Sequence, residues 1–118
     1  MHSSEISNLS FLLEKEKLVL AEVLHKIKDP FKVRQAILFG SKARGDFESG
    51  SDIDLLVLTD LEDRPENRHY LSDMLFDINP YYEPPISVTY FNKDDWDSGK
   101  VLPTFKSNIL KDGVQIVI

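Results

Sequence analysis

The run from Ile53 to Thr59, Ile-Asp-Leu-Leu-Val-Leu-Thr, constrains this chain more than any other segment. Beyond Asp54 it is apolar at successive positions, so both faces of an extended strand there are oily. Such a strand needs cover on both sides, which a sheet with helices packed on it supplies. Two shorter runs read as its neighbours. Ala36-Ile-Leu-Phe39 ends at Gly40, and Ile86–Phe91 follows the prolines at 84 and 85. The sequence around them predicts helices. From Phe11 to Ile27 the apolar positions Leu13, Leu20, Leu24 and Ile27 recur at spacings of three, four and seven, with Leu12, Val19 and Val23 beside them. Lys28-Asp29-Pro30 stops that helix. Pro65 suits a first helical position, and the helix it opens runs to about Ile78 with Leu71, Leu75 and Ile78 inward and Met74 alongside.

The remaining elements are small. Ser41 to Arg44 predicts one helical turn closed by Gly45, and Asp46 to Ser51 predicts a loop. Asn92 is placed to cap a short helix, with Asp95 at its third position. Pro103 to Lys111 predicts a last short helix with Gly113 past its end, and Val114 to Ile118 a terminal strand. Residues up to about Ser10 are polar and are expected to be loose. The expectation is an α/β (α+β) chain, a mixed β-sheet flanked by α-helices, with residues 1–118 forming one domain.

Composition narrows the function classes. No run approaches the roughly 20 apolar residues of a membrane-crossing helix, and the N-terminus lacks the basic and apolar regions of a signal peptide. The chain has no cysteine, which removes disulfide scaffolds and thiolate chemistry. A cytoplasmic location is expected. Fourteen Lys and Arg against 20 Asp and Glu leave a net charge of -6, which argues against a dedicated nucleic-acid grip.

The chemistry-bearing pattern lies between the first two strands. Gly40-Ser41 follows one strand, and Asp52-Ile53-Asp54 opens the next. Alternation along a strand puts Asp52 and Asp54 on one face, roughly 6–7 Å apart. Two carboxylates so placed call for a cation, a proton or a donor. Magnesium is suited to a few carboxylates plus phosphate oxygens. The glycine turn adds backbone N–H groups and the Ser41 hydroxyl, which can hold a phosphate beside such an ion. Lys42 and Arg44 are candidates for phosphate or acceptor contact. Lysine there offers a point charge instead of a planar fork.

Gly40-Ser-Lys-Ala-Arg-Gly45 followed by Ser51-Asp-Ile-Asp-Leu-Leu-Val57 resembles the motif of the minimal nucleotidyltransferases of the polymerase-beta superfamily. Asn108-Ile-Leu-Lys-Asp-Gly113 is similar to the usual ending of that family. The resemblance implies transfer of a nucleoside monophosphate, AMP by expectation, from a nucleoside triphosphate such as ATP to a hydroxyl acceptor. It implies two Mg2+ ions carried by Asp52 and Asp54, and a triphosphate held by Gly40 and Ser41. Many members are antitoxins of small helical toxins of the HEPN type, and some transfer AMP to a tyrosine of that toxin. A HEPN-like partner or a homo-oligomer is therefore expected, and no membrane partner. Active members carry a third carboxylate on the next core strand, where Ser87 stands in this chain. Asp77, Glu83, Asp94 and Asp95 are the alternatives for that role, with no spacing to select one. Two readings follow: an enzyme, or an impaired nucleotide-binding antitoxin or regulatory domain that acts by binding.

Other residues read as structural. Phe39 is expected in the core, Trp96 as a packing anchor, and His25 and His69 on the surface. Tyr81 and Tyr82, ahead of two prolines, suit either a partner contact or cover for a sheet edge.

Overall fold

The computed structural model describes residues 3–45, 52–78 and 86–118. Their elements, in order, are β1 (Ser3–Ser4), a 3-10 turn (Ile6–Asn8), α1 (Glu14–Ile27), β2 (Val33–Phe39), α2 (Gly40–Arg44), β3 (Ile53–Thr59), α3 (Pro65–Ile78), β4 (Ile86–Asn92), α4 (Lys93–Asp97), α5 (Pro103–Asp112) and β5 (Val114–Ile116). The strands form a mixed sheet in the order β1-β5-β2-β3-β4. β2 runs antiparallel to β3 and to β5, whereas β3–β4 and β1–β5 are parallel.

β3 sits inside the sheet with an apolar layer on each side, as its double-sided hydrophobicity requires. One layer joins Ala36, Leu38, Leu55 and Val57 to Val19, Leu20, Val23 and Ile27 of α1 and to Leu71 and Met74 of α3. The other joins Ile37, Leu56 and Leu58 to Trp96 of α4, to Val101 of the connection after it, and to Ile109 of α5. The four main helices thus divide two to a face. Trp96 is buried, and His25 and His69 are exposed, as expected.

Several boundaries move. α1 begins at Glu14, not Phe11, and Leu13 is an exposed N-cap instead of a core position. Leu12 and Leu9 fill the space below it. Residues 3–10 are not loose: Ser3 and Ser4 pair with β5, and Leu9 is buried. β2 starts three residues early, at Val33, because Phe31 anchors the turn before it. The Phe31 ring is fully buried, with its centroid 5.2 Å from that of Tyr70 and 6.2 Å from that of Tyr90. The last strand stops at Ile116. Asn92 Oδ1 does accept from Asp95 N at 3.1 Å, capping α4. Among the described residues no helix is long and apolar enough to cross a membrane. The loop expected over Asp46–Ser51 and the Tyr81–Pro85 segment lie outside the described residues.

Candidate active site

The antiparallel register pairs Phe39 with Asp54. The chain therefore leaves β2 through Gly40 directly beside the carboxylate that opens β3. Gly40 has φ +76°, a left-handed conformation that favours glycine. A Cβ on Gly40 would overlap Asp54 Oδ2 and lie 3.1 Å from its Cγ. The Asp54 carboxylate thus occupies the space that a side chain would fill, and this ties the Gly-Ser turn to the Asp-x-Asp strand.

Asp54 is half-buried and Asp52, just before the strand, is exposed. Burial pushes the Asp54 carboxyl above the ordinary carboxylate value, and the negative charge of Asp52 pushes the same way. The Arg44 guanidinium opposes both. The two aspartates and the end of α2 are therefore electrically one neighbourhood. Their donor set is two hard carboxylate oxygen groups in mutual repulsion, a set that suits Mg2+ completed by phosphate oxygens and water. Beside Gly40 and Arg44 opens a cavity of about 300 Å³, walled by Phe39, Phe105, Asn108, Ile109 and Asp112. Phe39 is half-buried: it packs edge-on to Phe105, 6.5 Å between centroids, and lines this cavity as well as the core.

The parallel register pairs Asp54 with Ser87 on β4. Facing residues of neighbouring strands share a side of the sheet, so a carboxylate at position 87 would flank Asp54. Serine stands there. Among the described residues, no cluster of three or more His, Cys, Asp or Glu can hold a metal ion. Asp77 lies 3.9 Å from Lys26, and Asp95 3.5 Å from Lys100. Asp94 is an exposed residue of α4, and Glu83 lies outside the described residues. Asp52 and Asp54 fit one ion. Among the described residues no third carboxylate joins them to hold a second ion.

Lys42, expected as a candidate for phosphate or acceptor contact, is instead paired inside the protein. Its side chain is 3% exposed, and its Nζ lies 2.5 Å from Oε2 of Glu16, itself 1% exposed. Glu16 was missed at the level of sequence. The signal was its position: it falls on the same face of α1 as Val19, Leu20, Val23, Leu24 and Ile27, all buried. A carboxylate on a core stripe requires a buried partner.

A mixed sheet with this glycine turn and paired aspartates defines a nucleotidyltransferase-like fold. Residues 20–116 match the nucleotidyltransferase domain family, and the chain belongs to that family. It is 27% identical over 100 residues to a putative protein adenylyltransferase of Methanocaldococcus jannaschii, covering 83% of this chain and 94% of that protein. A second putative protein adenylyltransferase of the same organism is 38% identical over 66 residues, 56% of this chain and 59% of the relative. The fold is shared with the crystal structure of a putative nucleotidyltransferase from Sulfolobus solfataricus, with a TM-score of 0.55 at 19% identity over 98% of this chain and 89% of that one. It is shared equally with a chain of a toxin-antitoxin crystal structure with AMP-PNP, with a TM-score of 0.56 at 20% identity over 87% and 72% of the two chains.

Proposed function

We propose that this chain binds a magnesium–nucleoside triphosphate at Gly40, Ser41, Arg44, Asp52 and Asp54, and acts chiefly as a nucleotide-binding antitoxin or regulatory domain on a protein partner. The observation that carries this reading is the Asp54–Ser87 register. It sets a hydroxyl beside Asp54, at the position where the family resemblance expects a third carboxylate to activate an acceptor. A serine hydroxyl is neutral near pH 7 and a poor base, so transfer is slow while binding persists. Magnesium held by Asp52 and Asp54 would neutralise phosphate charge. The Ser41 hydroxyl and the turn's backbone N–H groups would orient the phosphates, and Arg44 would add a planar cationic contact.

A second reading is favoured by the names of the two archaeal relatives. Those names give transfer of AMP to a protein, and the family resemblance adds a tyrosine of a HEPN-like partner as the acceptor. The phenol oxygen forms a bond to the α-phosphorus, the bond to pyrophosphate breaks, and the phenol proton is released to solvent. Incubation with α-labelled ATP and Mg2+, with and without a co-encoded helical partner, separates the two. The binding reading expects saturable nucleotide binding and partner inhibition with little label on protein. Stoichiometric labelling of the partner within minutes would replace it with the transfer reading. Absence of Mg-ATP binding would overturn the nucleotide part of both.

A further inference from the structure

We infer that Glu16 is a positioning residue for the phosphate turn: through its buried ion pair with Lys42 it fixes the orientation in which α2 presents Ser41 and Arg44. The functional part of this inference rests on the nucleotide reading above. α2 is five residues long, and Lys42 is its one buried side chain. Apolar packing by α2's own side chains therefore contributes little to its rotation about its axis. Lys42 follows Ser41 directly and precedes Arg44 by two positions, so an anchor on Lys42 sets the direction of both.

The anchor is itself rigid. Glu16 Oε1 accepts from Leu13 N at 2.8 Å, while Oε2 receives the Lys42 ammonium at 2.5 Å. Both carboxylate oxygens are thus used, and the rotamer is held at two points. α1 in turn is fixed to the sheet by Val19, Leu20, Val23, Leu24 and Ile27. Among the described residues no buried side-chain polar atom lacks a partner, so the pair is satisfied rather than frustrated. A second consequence is electrostatic. The lysine of the Gly-Ser motif has its charge matched internally, which leaves Arg44 as the exposed cation at that end of the turn.

Three variants test this. Glu16→Leu combined with Lys42→Met replaces the ion pair by apolar groups of similar length, a change that buried pairs often tolerate. Glu16→Gln breaks the pair alone, and Lys42→Arg keeps its charge. Two readouts are taken on the full chain: amide hydrogen exchange at residues 40–45 without nucleotide, and Mg-ATP affinity by calorimetry. In the folded double variant, exchange at 40–45 should rise about tenfold and the Mg-ATP dissociation constant should rise about tenfold, as when an outer support of a binding group is lost. Lys42→Arg, made alone, keeps a cation on Glu16 and should leave both readouts closer to the parent than the double variant does. A folded double variant with parental exchange and parental affinity overturns the inference. Should that variant unfold, Glu16→Gln is judged by the same readouts. Unfolding of both assigns the pair to core folding alone and also overturns it. If the parent itself shows no Mg-ATP affinity, the nucleotide reading fails, and exchange at 40–45 still decides whether Glu16 holds the turn.

Discussion

Asp54 carries a charge that the folded chain disfavours, because burial and the neighbouring Asp52 act together against the pull of Arg44. Its raised folded value fixes the sign of a pH effect. Well below the ordinary carboxylate value of 3.8 both folded and unfolded carboxyls are protonated, and the group costs nothing. As pH rises through 3.8 the unfolded chain loses its proton first, so stability falls until the folded carboxyl has also ionised, and the penalty then stays constant. Asp54→Asn removes that penalty. At pH 7 without metal it should raise the melting temperature by roughly 1–4 °C, less than about 1 kcal/mol gives a chain of this size, because half-exposure screens the charge. The difference should vanish near pH 3. With Mg-ATP the order should reverse, since the parent gains more from the ligand. Thermal melts at both pH values, with and without Mg-ATP, check all three signs. Gly40→Ala belongs to the same corner. Its Cβ would meet the Asp54 carboxylate at a positive φ, so the change should cost about 1–3 kcal/mol and weaken Mg-ATP binding with it. Urea denaturation and calorimetry measure the two effects.

Between elements, the decisive relation is β3 beside β4. Ser87→Asp should place a carboxylate next to Asp54 and raise the affinity for a second Mg2+ or Mn2+, with an increase in AMP transfer where an acceptor is present. Metal titration in the presence of a non-hydrolysable ATP analogue reads the first effect, and label transfer the second. Unchanged metal stoichiometry would show that position 87 does not reach the ion. The strands were legible from the sequence because each ends on a marker: Gly40 for β2, Asp60 for β3, the prolines before β4. The aspartate pair was legible from alternation at the head of β3, whereas the Ser87 position came from the family resemblance, and the β3–β4 register sets it beside Asp54. What escaped was non-local. β1 is two residues long and exists only because β5 offers it an edge. Phe31 gives no periodic signal, and its burial depends on Tyr70 and Tyr90 arriving from α3 and β4. Glu16 did break the apolar stripe of α1, but its partner lies 26 residues away, beyond any local pattern.

At the scale of the molecule, the corner proposed to hold nucleotide and ion belongs to a chain with a net charge of -6. On the antitoxin reading proposed above, a small helical partner of the HEPN toxin kind with a basic surface suits that charge, because opposite fields speed encounter and fix orientation. The expectation is a specific complex on size-exclusion after co-expression, with the partner's ribonuclease activity suppressed. Association measured between about 50 and 500 mM salt should slow as screening shortens the reach of the field. Combining Asp52→Asn with Asp54→Asn then separates two ways of inhibiting. Those changes remove two negative charges and the ion's ligands while leaving both apolar layers of the sheet untouched. If inhibition works by binding, the double variant should still form the complex and suppress the partner, with an association rate lowered by a few-fold through lost charge alone. If inhibition requires modification, the complex should form and the partner should stay active. The absence of any complex at micromolar concentrations, for the parent as well as the variant, would leave a solitary nucleotide-binding regulator as the reading that the two-aspartate corner still supports.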